Sequence, residues 1–153
     1  MSSRILPFKQ GAPAKSTQKP RTRVLIVDDD ERMRLFVDAV LRGGGYETTL
    51  AADGDDAIAI AAKAPAPFDL LVTDEMMPRM RGHQLARYMR ELYLNIKVLY
   101  LSGFREQLFS EKGSLWADEA FLDKPCTPET LLQAVSLVLF GPHGKAKPEN
   151  DRS

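Results

Sequence analysis

The sequence predicts an α/β protein built on an open, doubly wound sheet of five parallel strands. Three observations predict it. Short apolar runs alternate with stretches of helical periodicity, and short units of that kind require parallel strands joined by right-handed crossovers. The runs Val24 to Val27 and Leu70 to Thr73 are nearly unbroken in apolar residues, as strands buried on both faces should be. Finally, Asp28, Asp29, Asp74, Ser102 and Lys124 all follow strand-like runs, and ligands of such sheets bind at the carboxyl ends of the strands.

The elements follow in order. Arg23 to Val27 is the first strand. Asp29 or Asp30 can cap a helix running to about Arg42, with Met33, Phe36, Val37, Val40 and Leu41 on its inner face and Gly43 to Gly45 stopping it. Tyr46 to Ala51 is the second strand, and Asp55 to Lys63 an alanine-rich helix ended by Pro65 and Pro67. Phe68 to Thr73 is the third strand, His83 to Leu92 the third helix, and Lys97 to Leu101 the fourth strand. The fourth helix belongs between Gly103 and Trp116, where two glycines and a broken apolar pattern predict a short or irregular one. Glu119 to Leu122 is a short fifth strand. The last helix has Thr127 as N-cap and Pro128 at its first position, and runs to about Phe140.

Composition sets the class. The 153 residues, 44% hydrophobic and 27% charged, suit one globular domain with short tails. A single Cys126 excludes an internal disulfide framework and a cysteine-based zinc site, and fits a reducing cytoplasm. The start, Met1 to Gln10, has no long apolar h-region, and the longest apolar stretch, Leu131 to Phe140, is interrupted by Gln133 and Ser136, so neither a signal peptide nor membrane insertion is expected. The net charge of zero is unevenly spread: residues 1 to 23 carry six basic side chains and no acid, leaving 15 basic against 21 acidic residues in the rest. The expected organisation is a disordered basic leader at 1–22, a folded unit at 23–140 and a flexible tail at 141–153. The leader is either solvated or a weak contact for nucleic acid or a partner; sequence-specific nucleic-acid binding is not expected of the acidic body.

The acids admit two readings. Asp28, Asp29 and Asp30 can all be helix caps. Converging with Asp74, the first two can instead hold a cation, which would relieve the cost of carboxylates at the ends of buried strands. His83 is expected as a surface or cap residue. With only His143 besides, a histidine metal site is not supported.

Four motifs identify a family. Val27-Asp28-Asp29, then Val72-Thr73-Asp74 with Met77-Pro78 and Gly82, then Leu101-Ser102-Gly103, then Lys124-Pro125 stand in the order found in receiver domains of two-component response regulators, and the chain resembles that family from about residue 23 to 140. The resemblance implies a flavodoxin-like sheet and a Mg²⁺-dependent phosphoacceptor, a signalling switch and not an enzyme. Asp74 would take a phosphoryl group from a sensor histidine kinase or a histidine phosphotransfer protein. Mg²⁺ would be held by Asp29 and Asp74, by Asp28 through water, and by the main-chain carbonyl of Met76. Lys124 would meet one phosphoryl oxygen and the Ser102 hydroxyl another, with Ser102 and Phe121 as the switch pair; the Lys124-Pro125 bond is expected to be cis. Met76 and Phe104 would border the approach of a hydrolytic water.

Some residues depart from the pattern. Phe121 lacks the hydroxyl of the frequent tyrosine, so packing alone would hold it. Arg81 precedes Gly82 where an acid or amide is common, and Cys126 is expected as a small packing residue. With no output domain after Phe140, the reading is a stand-alone receiver serving as phosphoryl relay or protein-binding switch. A receiver cut from a hybrid histidine kinase is the alternative within the family. Outside it, a haloacid dehalogenase-like phosphatase would need a second aspartate two residues after the nucleophile, where Met76 stands.

Overall fold

Each apolar run pairs in parallel with its neighbours. The computed structural model describes residues 21–141, apart from the side chains at positions 106 and 107. Its elements are β1 (Arg23–Val27), α1 (Glu31–Gly43), β2 (Glu47–Ala51), α2 (Gly54–Lys63), β3 (Leu70–Thr73), α3 (Gly82–Leu92), β4 (Lys97–Ser102), α4 (Arg105–Lys112), β5 (Glu119–Asp123) and α5 (Pro128–Phe140). The five strands form one sheet in the order β2-β1-β3-β4-β5, the flavodoxin-like arrangement the sequence predicts. The leader and tail expected at 1–22 and 141–153 lie outside the described residues but for Arg21, Thr22 and Gly141.

Strand periodicity splits the core into two layers. Leu25, Val27, Leu71, Val98 and Tyr100 point to one face, where they pack with Ala57 and Ala61 of α2, Leu85 and Met89 of α3 and Leu108 of α4. Val24, Ile26, Leu70, Val72, Leu99 and Leu101 point to the other and meet Val37 and Leu41 of α1 and Leu131 and Val135 of α5. Both faces are therefore covered, which is why the central strands show no polar alternation. Each fully buried aliphatic side chain contributes about 1.5–3 kcal/mol relative to exposure.

Local chemistry sets the boundaries. Asp30, not Asp29, caps α1, its carboxylate accepting from the Arg32 amide at 3.1 Å. Asp53 caps α2 through the Asp56 amide, one residue earlier than expected, and Thr127 caps α5 through the Thr130 amide with Pro128 following. β3 starts at Leu70 instead of Phe68. There the Phe68 ring turns inward, beneath the Arg23 guanidinium at 4.6 Å and edge-on to Tyr93. Helix α4 is short, eight residues, and stops at Gly113, whose φ of 92° favours glycine. Cys126 packs against the α1 and α5 layer, as a small packing residue would.

Candidate functional site

Register builds the site. Val27 of β1 lies opposite Thr73 of β3, so the next residues, Asp28 and Asp74, emerge side by side at the ends of the two central strands. The Asp74 amide donates to the Val27 carbonyl at 3.1 Å, and the buried Thr73 hydroxyl donates to the Asp74 carbonyl at 2.8 Å. Both acids are buried, Asp28 3% and Asp74 6% exposed, whereas Asp29 is exposed.

Lys124 joins them. Its ammonium lies 2.9 Å from Asp28 Oδ2 and 3.4 Å from Asp74 Oδ2. The Lys124-Pro125 peptide is cis, as the resemblance implies, and the Lys124 amide donates to the Ser102 carbonyl at 3.0 Å, tying β5 to the end of β4. The other oxygens are also held: Asp28 Oδ1 accepts from the Asp30 amide at 2.9 Å and Asp74 Oδ1 from the Glu75 amide at 2.8 Å.

The charges compete on these few atoms. Burial raises the Asp28 carboxyl above the ordinary aspartate range, outweighing the hydrogen bonds from Lys124 and Asp30. Burial pulls Lys124 down, but Asp28 and Asp74 together overcome it and hold the ammonium above the ordinary lysine value. One cation thus faces two buried carboxylates. Asp28, Asp29 and Asp74 offer oxygens within 4.8 Å of one another, a hard donor set that fits a divalent cation, with exposed Asp29 leaving room for water ligands.

Ser102 is fully buried at the end of β4. Its hydroxyl accepts from the Phe104 amide at 3.1 Å, which leaves its own hydrogen to donate. Met76 is partly buried with its sulfur 3.2 Å from an Arg81 guanidinium nitrogen, and Phe104 is 53% exposed. Phe121, half-buried on β5, packs against Phe109 at 5.9 Å and lies under the Arg105 guanidinium at 4.5 Å.

The sequence reading missed two residues. His83, expected at the surface or as a cap, has a side chain only 17% exposed, and its Nδ1 lies 2.7 Å from Glu75 Oε2. Glu75, which carries no role in the sequence reading, is fully buried, and burial raises its carboxyl despite the His83 contacts. Glu75, His83 and Glu111 bring ligand-type atoms within 4.8 Å, but these atoms are already engaged: His83 binds Glu75, and Arg81 lies 3.5 Å from Glu111. No motif flags a pair eight residues apart across a loop.

Comparison with known proteins agrees with this geometry. Residues 24–136 match the profile of the response regulator receiver domain. The chain is 32% identical over 118 residues to the response regulator receiver protein CpdR of Brucella abortus, covering 77% of this chain and 97% of that one. It is 32% identical over 116 residues to the sensor kinase CckA of the same organism, covering 76% of this chain but only 12% of the kinase. Among solved structures, the chemotaxis response regulator CheY4 of Vibrio cholerae superposes with a TM-score of 0.68 at 35% identity, covering 78% of this chain and all of that one.

Proposed function

This chain belongs to the response regulator receiver family, and from that premise we propose that Asp74 accepts a phosphoryl group from a phosphohistidine of a sensor histidine kinase or histidine phosphotransfer protein. The receiver unit is residues 23–140. One Asp74 carboxylate oxygen attacks phosphorus; the new O–P bond forms as the P–N bond to the donor imidazole breaks, and the electron pair stays on that nitrogen, which takes up a proton. A carboxylate is a weak nucleophile toward a charged phosphoryl group, so positive charge must come from elsewhere.

The observation that carries the reading is the Lys124 ammonium set between Asp28 and Asp74. Released from those acids, it would meet a phosphoryl oxygen on Asp74 as a compact point charge. The Ser102 hydroxyl, with its hydrogen unspent, donates to a second oxygen. Asp28, Asp29, Asp74 and the Met76 carbonyl would hold Mg²⁺, which when bound supplies neutralising charge to the phosphoryl oxygens. As a signalling relay, the domain passes its state on through protein contacts. Among the described residues no helix is long and apolar enough to cross a membrane.

The test is labelling by a phosphorylated histidine kinase and by a small phosphodonor in the presence of Mg²⁺. Wild type should gain one phosphoryl group, and Asp74→Asn should gain none while melting as a folded protein. Equal labelling of the variant would remove Asp74 from the role.

A further inference from the structure

We propose that Glu75 is the positioning residue of the phosphoacceptor loop, its carboxylate fixing the main chain on both sides of Asp74 and Met76 by capping α3 at His83. The inference rests on the phosphoacceptor reading of Asp74 and adds a residue to it.

Every polar group of Glu75 is engaged. Its amide donates to Asp74 Oδ1 at 2.8 Å, and its carbonyl accepts from the Gly82 amide at 3.0 Å. Oε1 accepts from the His83 amide at 2.9 Å, and Oε2 lies 2.7 Å from His83 Nδ1. One residue thus touches both the oxygen chemistry of Asp74 and the first turn of the next helix.

Stability alone does not explain a glutamate here. A fully buried carboxylate is costly, and exchanging a buried ion pair for apolar residues of similar size is often neutral or stabilising. Helix α3 supplies a reason. Its N-cap residue, Arg81, makes no side-chain cap hydrogen bond and carries no acceptor. Glu75 takes the amide of the helix's second residue instead, and puts a negative charge at the positive end of the helix dipole. The unusual arginine before Gly82 and the unusual buried acid after Asp74 therefore account for each other.

The consequence reaches the site because the clamp closes a loop. Met76, whose carbonyl belongs to the proposed cation site, follows Glu75 directly. Turning the Glu75 backbone would move the amide off Asp74 Oδ1 and swing the Met76 carbonyl with it. Arg79 also ties this loop, to Asp53 and Asp55 of the α2 start, but that side chain is 61% exposed, and exposed pairs hold weakly. The buried clamp is the tie that can fix a carbonyl to a fraction of an ångström.

The experiment measures initial labelling rate by a small phosphodonor across a Mg²⁺ titration, with a thermal melt for each protein. Glu75→Leu should label Asp74 about 10–100-fold more slowly and need more Mg²⁺, the usual loss when a group supporting a metal ligand is removed. Its melting temperature should fall as well, because the His83 amide and Nδ1 lose their acceptor, so each rate is measured well below the melting temperature of the protein concerned. Glu75→Gln keeps an acceptor for the His83 amide and should recover most of the rate, an outcome that a purely structural requirement for charge would not give. A Glu75→Leu protein that labels at the wild-type rate overturns the proposal. If that variant does not fold, Glu75→Met decides: its flexible chain also removes the acceptor of the His83 amide, so it should be slowed as well, and a wild-type rate there overturns the proposal equally. Labelling of Asp74→Asn would instead sink the phosphoacceptor reading itself, so the two failures are distinguishable.

Discussion

Gly82→Ala is the perturbation whose effect the structure sets most sharply. A Cβ at residue 82 would stand 2.1 Å from the Asp74 carbonyl oxygen and 3.0 Å from the Glu75 Cα, all main-chain atoms that cannot swing aside. Close-packed surroundings must then open by roughly 1 Å. Overpacking of this kind costs about 1–3 kcal/mol. Loss of the Gly82 amide bond to the Glu75 carbonyl adds about 1 kcal/mol. The sum, about 2–4 kcal/mol, corresponds to a melting temperature roughly 10 °C lower for a domain of this size. Circular dichroism melts measure it, with two glycines as controls. Gly54→Ala meets the Met80 sulfur at 2.6 Å, a flexible thioether that can move, and should lose much less. Gly43→Ala, at the end of α1, meets nothing within 4 Å and should be neutral or gain about 0.5–1 kcal/mol. A Gly82→Ala protein that melts with Gly43→Ala refutes the reasoning.

Three further outcomes are expected. Mg²⁺ at about ten times its dissociation constant should stabilise the fold by about 1.4 kcal/mol, and Asp29→Ala should lose most of that gain; equal rises in melting temperature would place the cation elsewhere. Burial and then Glu119 hold the Tyr100 hydroxyl far above the usual tyrosine range, so the native state keeps a proton that the unfolded chain releases above about pH 10. Stability should therefore fall as pH rises past that value, and less steeply in Tyr100→Phe; identical slopes would contradict the assignment. The phosphorylated state should be long-lived, because Met76 and Phe104 offer neither acid nor amide to orient a hydrolytic water, and Met76→Asn combined with Phe104→Ala should lose label faster. If the double variant is no faster, shielding is not what they do.

What was legible in the sequence was whatever a local pattern carries. The unbroken apolar run before Asp28 required a strand covered on both faces, and it is central, with helices on both sides. Parallel order then brings Asp28, Asp74, Ser102 and Lys124 to one end of the sheet without any further information. The broken pattern from Gly103 to Trp116 became a helix of eight residues. What was not legible depends on approach between elements. His83 and Glu75 meet only because Gly82 lets α3 close on the Asp74 main chain. Likewise Glu119, read only as the start of a strand, is a buried acid held by Arg90 and Lys112 with Trp116 beneath both cations, a set drawn from α3, α4 and the loop before β5. Such side-chain partners are chosen by tertiary geometry, and no spacing in the chain records them.

The most direct test of the central claim is to locate the acyl phosphate. Protein labelled by a small phosphodonor with Mg²⁺ is reduced with borohydride, which converts an aspartyl phosphate to homoserine, and digested peptides are sequenced by mass spectrometry. Homoserine at position 74 and nowhere else is the expected result. Homoserine at position 28 or 29, or a phosphoryl group that survives reduction on Ser102, would contradict it.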